Sequence, residues 1–218
     1  MLLAHLEVIS QEAHIAREEK YLKIIRRYKN DEPVGQREVD LFSEALLFLM
    51  KGMKQTNNEL LGVVYETLAL NYKGFGQFFT PLSVSKLMTK IVLTHKEKEN
   101  PSILDPCVGS GRLLVEAHKI KPNGFFVGQD ISLTCVRMTA LNFLFFNMNG
   151  LVIWGDSLAL EAKLAYRTIK TPLGGAIYLI EKDSEFWPNV EQIVRLKTTG
   201  KVVVKQTAMD QFISQEGN

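Results

Sequence analysis

With 218 residues the chain is long enough for one full domain with a sizeable core, or for a domain plus a small appendage. Its 46% hydrophobic and 23% charged content is that of an ordinary soluble globular protein, and no run approaches the ~18 uncharged apolar residues a membrane helix needs. The net charge of +2 argues neither for nor against a polyanionic partner, and the two cysteines, Cys107 and Cys135, build no disulfide framework.

The first few residues are apolar only as far as His5 and Glu7, without a basic segment and a long hydrophobic run, so a cytoplasmic protein is expected. Apolar positions near helical spacing from Leu3 to Ile25 predict an amphipathic helix over 1–29. Its later part carries Arg17, Lys20, Lys23, Arg26, Arg27 and Lys29, which read either as a solvated face or as a surface for phosphates. Asp31-Glu32-Pro33-Val34-Gly35 breaks the helix, and further helices are predicted over 36–53 and 56–72, the second capped by Thr56 or Asn57 with Glu59 in its first turn. Residues 1–72 thus read as an N-terminal helical subdomain packed on a sheet domain over 73–218. Two glycines and several aromatics crowd Tyr72–Pro81, a composition suited to a loop that covers something. Thr80 is expected to cap a helix over 82–95, with Pro81 in its first turn. The charged run 96–101 leads into the next strand.

Ile103–Leu114 reads as strand, tight loop and helix: an apolar run ends at Asp105, Gly109 and Gly111 permit a sharp turn, and a helix starts at Arg112. The free N–H groups at such a helix start suit an anion, although a glycine pair alone equally fits a structural turn in any doubly wound domain. Phe125–Val127 predict a second strand closing on Gly128-Gln129-Asp130, and Leu151–Trp154 a third ending on Gly155-Asp156-Ser157. Three successive strands therefore end on carboxylates, and the acid of the second is placed to accept the hydroxyls of a ribose. Cys107 fits as a small side chain in a tight loop, since no paired base marks it as a nucleophile. A core-packing helix is predicted over 132–147, another over 159–166, a break at 171–175, a fourth strand over 176–180, then a strand over 201–205 and a short final helix. The expected fold is α/β: a Rossmann-like, curtailed, doubly wound sheet of about five strands with helices on both faces.

Asp105-Pro106-x-x-Gly109-Ser110-Gly111, Gly128-Gln129-Asp130 and Gly155-Asp156-Ser157-Leu158 resemble the cofactor motifs of adenine-N6 DNA methyltransferases, notably the modification subunits of type I restriction systems. Upstream, Gly76-Gln77-Phe78-Phe79-Thr80-Pro81 and Leu61-Gly62-Val63-Val64-Tyr65-Glu66 resemble two further elements of that family, so the likeness runs from about Leu60 to Leu158. It implies S-adenosylmethionine as cofactor and no metal. The contacts it implies are Phe78, Thr80, Pro81, Asp105, Cys107, Gly109, Gly111, Asp130, Ile131, Asp156 and Ser157, with Asp130 on the ribose, Asp156 on the adenine amine and the aromatic loop over the methionine end. It also implies DNA as substrate and a partner subunit for target recognition. The family's fourth strand is followed by Asn-Pro-Pro-Tyr or Asn-Pro-Pro-Phe, whose carbonyls hold the target amine while the ring stacks on a flipped base. This sequence has Glu181-Lys182-Asp183-Ser184-Glu185-Phe186-Trp187 there and no Asn-Pro-Pro anywhere, so no catalytic residue is assigned. A non-catalytic relative that keeps the fold for assembly or regulation is the alternative.

Overall fold

The structure is a computed structural model that describes residues 18–19, 21–69, 78–93, 99–183, 186–187, 190–191 and 193. The three apolar runs form β1 (Ser102–Asp105), β2 (Phe125–Asp130) and β3 (Gly150–Trp154). They pair in parallel, with Asp105 beside Gly128 and Asp130 beside Trp154. Parallel neighbours require crossovers, which α4 (Arg112–Ile120) and α5 (Leu133–Phe145) supply. Both helices lie on one face. Leu114, Val115, Val136, Ala140 and Phe143 pack there against Phe126, Val152, Tyr166 and Ile177. On the opposite face Phe125, Val127, Leu151, Ile153 and Ala165 meet Trp187, Val190 and Ile193, which are helical. Burial on both faces explains why these strands read as continuous apolar runs rather than alternating ones.

Beyond β3 the chain departs from the sequence expectation. No helix forms over 159–166. Instead Asp156 accepts the N–H groups of Leu158 (2.8 Å) and Ala159 (3.1 Å), closing a turn. The Gln129 side chain fastens that turn by donating to the Glu161 carbonyl at 2.9 Å, and β4 (Leu164–Thr171) follows, antiparallel to β3. The strand predicted as the fourth is β5 (Gly174–Ile180), joined to β4 by a two-residue turn at Pro172-Leu173. Among the described residues the sheet accordingly has five strands in plain sequence order, a Rossmann-like parallel half continued by an antiparallel hairpin, with β1 at one end of that order.

The N-terminal helices also shift. Residues 21–25 are helical, and α1 runs Glu38–Thr56. Thr56 and Asn57 therefore close α1 instead of opening the next helix, Asn57 taking the left-handed conformation (φ 51°) that ends helices. The next helix, α2 (Leu61–Ala69), is capped by Glu59, whose carboxylate accepts the Gly62 N–H. In α3 (Leu82–Leu93) the first helical bond runs from the Ser85 N–H to the Pro81 carbonyl at 2.9 Å, so Pro81 rather than Thr80 holds the cap position. This helix buries Ser85, Thr89 and Leu93 and exposes Val84, Leu87, Met88, Ile91 and Val92. A five-residue apolar stripe at helical spacing thus faces outward, and α1 likewise exposes Leu41, Phe42, Leu47, Phe48 and Met50. The predictions for 1–17, for Gly74, Phe75, Gly76 and Gln77 of the aromatic loop, and for the strand and helix after 200 lie outside the described residues. Among the described residues no helix is long and apolar enough to cross a membrane.

Candidate functional site

The site is built on the turn between β1 and α4. At the end of β1 the Asp105 carboxylate accepts the Cys107 N–H at 3.0 Å, and the Val108 N–H donates to the Gln129 carbonyl at 2.9 Å, hooking the loop onto β2. Gly109 (φ 57°) and Gly111 (φ 83°) take left-handed conformations that a Cβ would strain. Space is short as well: a Cβ on Gly109 would stand 2.9 Å from the Phe79 ring. That ring therefore lies directly on the glycine, and the aromatic segment forms a wall of the crevice.

Asp130 ends β2 and does two structural jobs. One carboxylate oxygen accepts the Gly109 N–H at 2.9 Å and the other the Ser132 N–H at 2.8 Å, so a single side chain braces the loop and starts α5. Each oxygen keeps a lone pair for a further donor. Burial pushes the Asp105 carboxyl above the usual carboxylate range, the Cys107 N–H opposing this and the nearby Asp130 charge adding to it. Burial also raises the Cys135 thiol, again with a contribution from Asp130.

Beneath the loop lies a polar cluster that the sequence reading did not single out. Glu59, whose side chain is fully buried, accepts from Arg112 Nε (3.0 Å), Ser110 Oγ (3.2 Å) and Asn142 Nδ2 (3.2 Å). Arg112 Nη1 donates to the Thr80 carbonyl at 2.8 Å, and Glu66 accepts the Phe79 N–H at 2.7 Å. Asn142 also donates to the Ser110 carbonyl (2.7 Å), and Thr139 Oγ1 to that of Gly109 (2.9 Å). One signal was available in the sequence: Glu66 is the only charged residue of α2, and Glu59 stands seven positions before it.

A cavity of about 310 Å³ opens above this base, within the range of small-ligand sites of roughly 300–1,000 Å³. Six of the expected residues line it: Phe78, Thr80, Asp105, Cys107, Gly109 and Asp130. Phe79, Val108, Ser110, Arg112, Leu113 and Cys135 complete the lining. The other five lie outside it. Pro81 caps α3, Gly111 packs its backbone on Thr139, and Ile131 is exposed and offers its carbonyl to Trp154 Nε1 at 3.0 Å. Asp156 and Ser157 sit in the turn after β3, with Asp156 Oδ1 accepting both of the bonds that close it. A larger cavity, about 400 Å³, lies among Leu160, Lys163, Lys182, Trp187 and Glu191 and contains none of the loop residues. The smaller one is where glycines, carboxylates and an aromatic wall converge. It can accept paired hydroxyls at Asp130, enclose an apolar or aromatic group against Phe78 and Phe79, and admit close backbone approach at Gly109.

A parallel βαβαβ unit with a glycine loop at the first strand end and an acid at the second defines a Rossmann-like type of domain. The chain belongs to the N-6 DNA Methylase family, whose model matches residues 56–170, more than half of the chain. Among relatives, the type I restriction enzyme MjaVIII methylase subunit of Methanocaldococcus jannaschii is 33% identical over 136 residues, covering 57% of this chain and 22% of that protein. The type II methyltransferase M.MamI of Microbacterium ammoniaphilum is 28% identical over 147 residues, covering 54% of this chain and 41% of the relative. This chain thus matches less than half the length of either. A solved type I restriction-modification system methyltransferase subunit from Streptococcus thermophilus is 27% identical, with a TM-score of 0.32 over 41% of this chain and 21% of that one.

Proposed function

We propose that this chain binds S-adenosylmethionine in the crevice above the glycine loop and acts as the cofactor-binding part of a DNA adenine-N6 methyltransferase. The observation that carries the reading is the Asp130–Gly109 bond, which locks the strand-end acid and the glycine loop into one crevice. The residues present suit the group. Asp130 retains acceptor capacity for the ribose hydroxyls, and the glycine at 109 leaves open the volume beside Phe79 that a Cβ would fill. Phe78, largely exposed at the rim, supplies apolar area for the methionine end. When bound, the group supplies an electrophilic methyl; the chain's own residues hold and orient it.

The substrate side of the proposal is DNA, and the partner side a further subunit. Membership of the N-6 DNA methylase family and likeness to a protein named as a methylase subunit support both. So do the outward apolar stripes of α1 and α3, because patches of that kind mark surfaces that another polypeptide covers. Asn-Pro-Pro is absent from the sequence, so methyl transfer by this chain acting alone is not part of the proposal. The same stripes favour a second reading, a non-catalytic cofactor-binding protein that serves assembly.

Titration calorimetry with S-adenosylmethionine tests the first step. Saturable heat is expected from the wild type. Asp130→Asn, which gives up one charge-assisted acceptor, is expected to bind about tenfold more weakly. No heat at millimolar cofactor would overturn the cofactor reading. Radiolabelled methyl transfer to mixed DNA separates the two functional readings, since clear incorporation by the purified chain would establish turnover.

A further inference from the structure

We propose that Arg112 is a positioning residue that sets the aromatic wall, Phe78–Thr80, against the glycine loop and so fixes the methionine end of the crevice. The statement about the wall stands on geometry alone, and its consequence for ligands rests on the cofactor reading above. Arg112 follows Gly111 directly and opens α4, so its backbone belongs to the loop. Its guanidinium points away from solvent, with a side-chain exposure of 6%. On the loop side Nε donates to Glu59, which also takes the Ser110 hydroxyl. On the wall side Nη1 grips the Thr80 carbonyl, a link that spans 32 positions of sequence. Nη2 stands 3.7 Å from Glu66 Oε2, and Glu66 holds the neighbouring Phe79 N–H. The wall is therefore fastened at two adjacent backbone groups, one by Arg112 itself and one by a carboxylate that Arg112 faces. The Phe79 ring is thereby set down on Gly109.

A planar fork of donors aimed in three directions is what this arrangement needs, and an ammonium cannot replace it. Arg112→Lys keeps the charge opposite Glu59 but cannot also reach Thr80. Glu66→Gln keeps an acceptor for the Phe79 N–H, removes the charge facing Nη2, and touches a residue that is only partly buried.

Two readouts decide the matter. The first is amide hydrogen exchange without ligand: Phe79 N–H protection is expected to fall at least tenfold in Arg112→Lys, while amides within α4 such as Val115 and Ala117 keep theirs. The second compares S-adenosylhomocysteine with 5′-methylthioadenosine, which shares the nucleoside but lacks the amino-acid tail. Arg112→Lys is expected to lose about tenfold for the first ligand and less than twofold for the second, the loss of one charge-assisted contact. Glu66→Gln is expected to show the same selectivity with a smaller loss, and it decides the question if Arg112→Lys does not fold. Equal losses for both ligands, or unchanged Phe79 exchange, would overturn the proposal. If the wild type binds neither ligand, the cofactor reading falls and the exchange experiment still decides the role of Arg112.

Discussion

Replacing Glu59 by alanine removes the acid on which three elements converge. Arg112 Nε, Ser110 Oγ, Asn142 Nδ2 and the Gly62 N–H all direct donors at this one side chain. None of these donors gains water in exchange, because Glu59 is 1%, Ser110 1% and Asn142 0% exposed. The guanidinium would keep the Thr80 carbonyl at 2.8 Å, but its nearest carboxylate would then be Glu66, at 3.7 Å and in the partly exposed part of the cluster. Removing one partner of a buried ion pair costs about 3–5 kcal/mol, and a domain has only about 5–15 kcal/mol to lose. Urea unfolding followed by circular dichroism is expected to show a midpoint shift of that size with an unchanged slope. The double variant Glu59→Leu, Arg112→Met should recover a large part of the loss, because it removes the stranded charge together with its partner. A Glu59→Ala loss below about 1 kcal/mol would refute the argument that this cluster carries α2 on the glycine loop.

Two further outcomes follow from the site. Asp105 has a folded-state pKa above its ordinary value near 3.8, so the folded state binds its proton more tightly. Its contribution is favourable at pH below that value and is lost as pH rises through the folded pKa, leaving a buried charge that costs stability at neutral pH. Asp105→Asn, which can still accept the Cys107 N–H, is therefore expected to melt higher than the wild type at neutral pH, the advantage shrinking as pH falls through the raised folded-state pKa and gone once it is below the ordinary value near 3.8; a difference that does not vary with pH would contradict this. Gly109→Ala combines a left-handed φ with a Cβ 2.9 Å from the Phe79 ring. A cost of about 1–2 kcal/mol is expected from the backbone alone, seen as a melting-temperature drop of roughly 2–8 °C; an unchanged melting temperature would refute the strain argued for position 109.

The parallel half of the sheet was legible in the sequence because each βα unit is encoded locally. Ile103–Leu104, Phe125–Val127 and Leu151–Trp154 are short apolar runs that end on Asp or Gly-x-Asp signals. They became β1, β2 and β3, with β1 and β3 within one residue of the expected ends and β2 running three residues further, to Asp130. The glycine loop and Asp130 were equally plain, since positive φ and strand-end carboxylates leave marks in composition. What lay beyond β3 was not. Ala159–Tyr166 has helical composition, yet one Asp156 carboxylate oxygen takes the Leu158 and Ala159 N–H groups into a turn, and the following residues pair with β3. Pairing across a sheet outweighs local propensity when a strand edge is available to pair with.

Sequence by itself therefore determined the family, the order of the first three strands, and the loop and acid that face each other at their ends. Only the tertiary structure decided that the sheet turns antiparallel after β3, that Asp156 serves a turn outside the cavity lining, and that Glu59 caps α2 while reaching the glycine loop. The reason is separation along the chain. Glu59 meets Ser110, Arg112 and Asn142 across 51, 53 and 83 positions. A buried carboxylate at such distances gives no periodicity to read; it becomes visible only when the helices that carry its donors have packed around it.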